Sequence, residues 1–172
     1  ADRWQCADPA PVRAALGVIT AALAGPLLWN ESSGMFRPSS GNGAQLTDVW
    51  GSALAVDLGL VIGARAGRVV SWFGAHWSSV VQDGQVRHLA AGEYWPSTLF
   101  WEYDTYQNGG YWGTASGWVL PVIGRNDSDV GEALVRSGVA YARRSGLSEW
   151  KNSAYCCNCK GRPAPTGKLS AP

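Results

Sequence analysis

The sequence predicts an all-α fold of helical hairpins joined by long aromatic-rich loops. Three observations carry this. Apolar residues recur at helical spacing in five segments, and helix start and stop signals bracket those segments. The stretches between them are too long and too rich in Gly, Trp and Tyr for a plain helical bundle.

Pro9 and Pro11 suit a helix start, and Val12, Leu16, Ile19 and Leu23 follow at helical spacing until Gly25-Pro26 stops them. The uncharged run from Ala14 to Trp29 also has the outline of a signal peptide, with Ala22-Leu23-Ala24 at the cleavage position. The two prolines ahead of it and the break at Gly25-Pro26 favour a buried helix, and about 16 residues are short for a membrane span. Leu27 to Gly43 reads as two short extended pieces around Asn30-Glu31-Ser32-Ser33-Gly34, followed by the loop Ser39-Ser40-Gly41-Asn42-Gly43.

A second helix begins with Thr47 as N-cap and Asp48 in the first turn, and turns Trp50, Ala53, Leu54, Leu58 and Val61 inward. A third runs from about Ala64 to Val81, with Val69, Trp72, Phe73, His76 and Val80 on its buried side, and Asp83-Gly84 closes it. The irregular stretch Gly84 to Gly113 gathers Tyr94, Trp95, Trp101, Tyr103, Tyr106, Tyr111 and Trp112 with Glu93, Glu102 and Asp104. Long loops of this kind usually carry function. A short helix from about Thr114 to Ile123 precedes a strong one, which Asn126-Asp127-Ser128-Asp129 caps and Arg143-Arg144 and Gly146 end.

With 14 basic and 13 acidic side chains the formal charge is +1, so no field gathers nucleic acid or an anionic membrane, and neither is expected as a partner. Ten Trp, six Tyr and 22 Gly exceed ordinary usage. Trp stacks well on sugar rings, yet composition alone assigns these rings to a core or a sugar site equally well. Cys156, Cys157 and Cys159 crowd together while Cys6 stands alone, which is not the spacing of a disulfide framework. A metal site there would lack a fourth ligand, because His76 and His88 lie far upstream, and no metal or cofactor is expected. Gly109-Gly110 and Gly113 lack the Lys-Ser or Lys-Thr of a phosphate loop. The sequons Asn30-Glu31-Ser32 and Asn126-Asp127-Ser128 permit secretion without requiring it, and leave localisation open.

The run Tyr106-Gln107-Asn108-Gly109-Gly110-Tyr111-Trp112-Gly113-Thr114-Ala115-Ser116-Gly117-Trp118 resembles the inner-mouth motif of six-hairpin glycosidases. Thr47-Asp48-Val49-Trp50-Gly51-Ser52-Ala53, Gly84-Gln85-Val86-Arg87-His88-Leu89, Gly92-Glu93-Tyr94-Trp95 and Gly146-Leu147-Ser148-Glu149-Trp150 follow the order of that family. The resemblance covers roughly Leu28 to Trp150 and implies part of an (α/α)6 toroid. By it, 1–172 is a single partial domain with an irregular tail over 151–172, and the missing N-terminal hairpins of the same domain are its partner along with a carbohydrate substrate.

Glycoside hydrolysis needs one protonated carboxyl to assist the leaving oxygen and one ionised carboxylate to activate water or attack carbon. The resemblance implies an inverting enzyme with Asp48 or Glu93 as the acid and Glu149 as the base, a pair roughly 6.5 to 9.5 Å apart. The residues themselves pull the other way at Asp48, since a carboxylate at a helix start is stabilised in its charged form. Glu93, flanked by Tyr94 and Trp95, suits a desolvated acid, and the two carboxyls stand level as candidates. Trp50, Trp95, Tyr111, Trp112 and Trp118 are the candidate sugar platforms, and Arg87, His88, Gln107 and Asn108 the candidate hydrogen-bonding groups. Two other functions fit the same residues: a sugar epimerase or isomerase that moves protons through histidine, and a carbohydrate-binding fragment without turnover.

Overall fold

The computed structural model describes residues 10–96 and 103–146, together with the backbone of 148–151 and 167–168. The chain runs α1 (Ala10–Ala24), β1 (Trp29–Asn30), β2 (Met35–Phe36), α2 (Val49–Asp57), α3 (Gly63–Val80), β3 (Val81–Gln82), β4 (Gln85–Arg87), β5 (Tyr111–Trp112), α4 (Ser116–Asn126), α5 (Ser128–Ser145), β6 (Ser148–Lys151) and β7 (Gly167–Lys168). Hairpin β1-β2 stands alone, and β3-β4-β5-β6-β7 form a second antiparallel sheet in that order. The fold is therefore mixed α/β, and the all-α, toroid-type expectation is overturned. The two short extended pieces expected around Asn30-Glu31-Ser32-Ser33-Gly34 are β1 and β2, whereas the strands of the larger sheet, two to four residues each, are too short to write an alternating pattern into the sequence.

One strand pair did carry a signal. Asp83-Gly84, expected to close a helix, is the two-residue turn between β3 and β4, with left-handed backbone at both residues (φ 51 and 71). Asp-Gly between Val-rich flanks is a strong hairpin signature. The residues at 167–168, expected to be irregular, pair with β6.

The core forms where α2, α3 and α4 meet, around Val49, Ala53, Val56, Val69, Phe73, Val80, Val119, Val122 and Ile123. Helix α2 buries Val49, Ser52, Ala53, Ala55 and Val56, so the expected inward face is rotated and Leu58 is exposed. On α3, Val69, Phe73 and Val80 are buried as expected, while His76 is exposed and stacks on the half-buried Trp72 at 4.4 Å. Helix α1 departs furthest from expectation. Val12 and Val18 are each 71% exposed and α1 buries no residue, so it is not a core helix. It is tied down at its end, where Arg65 Nη1 donates to the carbonyls of Leu23 and Ala24 at 3.1 and 2.8 Å. Those are two of the acceptors a helix C-terminus leaves unpaired.

Helices α4 and α5 touch through glycine. A Cβ at Gly131 would lie 2.7 Å from the Gly124 Cα, inside contact distance of backbone that cannot swing away. Alanine normally favours a helix over glycine by about 1 kcal/mol. Gly131→Ala is nonetheless expected to destabilise the protein by about 1 to 3 kcal/mol, because overpacking outweighs propensity. Urea denaturation measures it, and a stabilised variant would show that the two helices are not in backbone contact.

Candidate functional site

The site is assembled where α2 begins. Asp48 has extended backbone (φ −80, ψ 101) and its Oδ1 accepts the Gly51 N–H at 2.8 Å, so Asp48, not Thr47, is the N-cap. Its own N–H donates to the Phe36 carbonyl at 2.8 Å, and the Val49 N–H donates to the His88 carbonyl at 2.9 Å. This stitching pins the helix start to the residues just past β4. It brings His88 Nε2 within 3.6 Å of Asp48 Oδ1, with the side chains 20% and 16% exposed.

Burial pushes the Asp48 carboxyl above the ordinary aspartate range, against the pull of His88 and of the Gly51 and Trp50 N–H groups. Burial also pushes the His88 imidazole below its ordinary value, against the pull of Asp48. Both shifts oppose a carboxylate–imidazolium ion pair. The expectation that a helix start lowers the Asp48 carboxyl is thus corrected, because desolvation exceeds the contribution of the helix N–H groups.

Two tryptophans flank the imidazole. The Trp50 ring lies 4.7 Å from it at a 31° tilt, and Trp95 lies 5.7 Å away. Trp50 is held by its Nε1 donating to the Val86 carbonyl at 3.3 Å, and its own carbonyl accepts Trp118 Nε1 at 3.1 Å. Trp118 packs against the core, so it supports Trp50 from behind rather than facing a ligand. The Trp95 N–H donates to Asn108 Oδ1 at 2.7 Å.

Glu93 has a different task from the one expected. Its Oε2 accepts the Thr47 N–H and its Oε1 accepts the Thr47 hydroxyl at 3.0 Å. Both carboxylate oxygens are committed to latching the 90–96 loop onto the entry to α2, which argues against an acid that must reach a glycosidic oxygen.

Beneath this layer lies a second, buried one. Arg87, 4% exposed, sits on β4 opposite Tyr111, with Nη1 3.6 Å from Asp104 Oδ1. Asp104 Oδ1 also accepts the Tyr94 hydroxyl at 2.8 Å, and the guanidinium carbon lies 5.6 and 5.9 Å from the Tyr94 and Tyr111 ring centres. Burial, then the bond to Asp104, pushes the Tyr94 phenol up. Arg87, Asn108, Tyr111 and Trp112, each 6% exposed or less, are buried. Gln107 is half-buried on the loop beside them.

Glu149 lies in β6 next to Trp150, the partner of Trp112, and its side chain is outside the described residues, as are Glu102, Trp101 and the cysteines at 156, 157 and 159. Among the described residues no cluster of His, Cys, Asp and Glu could hold a metal ion, and no helix is long and apolar enough to cross a membrane.

No family model, curated protein or solved structure matches the chain. The reading of this site therefore rests on its own geometry. A cavity of about 410 Å³ between the Asp83-Gly84 turn, α4 and α5 is lined by none of the candidate residues, and its walls, with Leu120, Pro121, Val135 and Val139, carry no carboxyl–imidazole pair like Asp48 and His88. Sequence reasoning omitted Thr47 as the partner of Glu93, and omitted Tyr94 and Tyr106 from the site. Their partners lie at sequence separations that only the folded chain closes.

Proposed function

We propose that the chain carries the acid-bearing side of a glycoside hydrolase active site, acting on a glycoside or oligosaccharide. The observation that supports it is the largely buried Asp48 carboxyl, raised by burial, 3.6 Å from a His88 imidazole that Trp50 and Trp95 flank. In this reading a pyranose ring packs its C–H face on indole, and the Asp48 O–H donates its proton to the glycosidic oxygen as the C–O bond breaks. An ionised carboxylate on the other face of the sugar activates the attacking water, and Glu149 is the residue assigned to it. The reaction then inverts the anomeric centre.

His88 sets the acid's working range. His88 pulls the Asp48 carboxyl down against burial, so removing it lets the carboxyl rise further. The His88→Gln variant is therefore expected to move the alkaline limb of the kcat/KM profile to higher pH, since the rate falls as pH climbs through the acid's own pKa. A limb that stays put, or moves down, would remove His88 from this role.

The Asp48–His88 contact also gives one observation to a second reading, a sugar epimerase or isomerase in which neutral imidazole takes a proton from carbon beside a carbonyl. The two separate cleanly. Incubating the full-length protein with aryl glycosides and oligosaccharides in deuterated water distinguishes release of reducing sugar, which supports the hydrolase, from deuterium at a ring carbon without cleavage, which supports the epimerase. Binding with neither outcome would make the site a carbohydrate-binding one.

A further inference from the structure

Three described residues other than glycine have left-handed backbone, and two of them, Asp104 (φ 61) and Tyr106 (φ 41), fall in one short loop. A bulky aromatic residue is disfavoured there, and such outliers persist only where the surroundings hold them. Here the Tyr106 carbonyl accepts two donors, the Gly110 N–H at 2.9 Å and Trp112 Nε1 at 3.0 Å. The Asp104 N–H donates to the Asn108 carbonyl and the Asn108 N–H to the Thr105 carbonyl, both at 2.8 Å.

The backbone is held, yet the ring it carries is not a core ring. Tyr106 is 44% exposed and meets buried Trp112 edge to face at 4.9 Å. Trp112 meets Trp50 at 5.9 Å, and Trp50 meets His88 at 4.7 Å, so a track of ring contacts links the Asp48–His88 pair to Tyr106 through the buried Trp112. Across Asp104, Tyr103 is 58% exposed, with its ring 4.6 Å from Tyr94. Glycine or asparagine would fit the turn with less strain.

We infer that Tyr106 is an outer platform on which a sugar ring stacks beyond the ring held at Trp50 and His88, so that the substrate is an oligosaccharide chain rather than a short glycoside. This rests on the hydrolase reading above. The aromatic face offers a flat apolar surface to pyranose C–H groups, and its distance from Asp48 along the track keeps it clear of the reacting bond.

The test compares full-length wild type with Tyr106→Phe, Tyr106→Ala and Tyr106→Gly, using an aryl monoglycoside and gluco-, xylo- and manno-oligosaccharides of increasing length. Tyr106→Ala is expected to lose about tenfold in kcat/KM on the longer chains only, a loss of one stacked ring, while Tyr106→Phe keeps the wild-type length preference. Tyr106→Gly suits the left-handed backbone and guards against a folding defect; it should melt no lower than wild type and show the same selective loss. An equal loss on every substrate, or none on the long chains, overturns the platform. If wild type hydrolyses nothing, the hydrolase reading fails by itself. Calorimetric binding of the same oligosaccharides then decides Tyr106, and equal affinities of wild type and Tyr106→Gly would overturn it.

Discussion

Replacing Asp48 with asparagine is expected to lower turnover by about 10²- to 10⁴-fold while leaving the protein at least as stable as wild type. Activity and stability separate here because Asp48 has two jobs. As N-cap it accepts the Gly51 N–H, and asparagine caps a helix about as well as aspartate. As an acid it supplies a proton, which the amide cannot do. The pH dependence follows from the direction of the shift. Burial raises the folded carboxyl above its unfolded value, so the folded state holds the proton more tightly, and stability declines as pH rises between the two values. Above the folded value the wild type carries a desolvated charge that the asparagine variant lacks. The variant's advantage should therefore be present above the folded value and vanish below the unfolded aspartate value, as thermal melts across pH would show. Asp48→Ala, which also removes the cap, should lose about 1 kcal/mol as well as activity.

The largest effect on stability is expected at Arg87. Its side chain is 5% exposed and its ion-pair partner Asp104 19% exposed, so removing one charge leaves the other desolvated and uncompensated. Breaking such a pair from one side typically costs about 3 to 5 kcal/mol, and Arg87→Ala should fall in that range by urea denaturation. Its Nε and Nη2 find no acceptor among the described residues, so the wild-type arginine is itself incompletely satisfied. For that reason Arg87→Met with Asp104→Asn should recover much of the loss, since neither partner is then a stranded charge. A double variant no more stable than Arg87→Ala would locate the effect in the packing of the guanidinium between Tyr94 and Tyr111 instead.

The long helices were legible because their signals are local. Asp127 accepts the Asp129 and Val130 N–H groups and Gly146 ends α5 with positive φ, as the capping residues indicate. The strands of the larger sheet were not, because two to four residues write no period, and their pairing is decided by partners such as Tyr111 for Arg87 and Trp112 for Val86 far along the chain. The β1-β2 hairpin, local in sequence, was legible as two extended pieces. The exposed α1 shows the converse failure: an apolar periodic segment specifies a helix, but what covers it is not written in the segment. At the site, Asp48, Trp50, His88 and Trp95 could be picked out by residue type, and the structure brings them together. Which of Asp48 and Glu93 is the latch was invisible, since Thr47 captures Glu93 from 46 residues away and His88 reaches Asp48 from far along the chain.

The most direct test of the central claim compares wild type and Asp48→Asn, in the full-length protein, on two aryl glycosides that differ only in the leaving group. A general acid matters where the departing oxygen needs a proton and hardly at all where it does not. The expected result is a loss of about 10²-fold or more on the poorly leaving phenol and about tenfold or less on the dinitrophenol. Equal losses on both would contradict Asp48 as the proton donor, and the absence of hydrolysis of either by wild type would contradict the glycoside hydrolase itself.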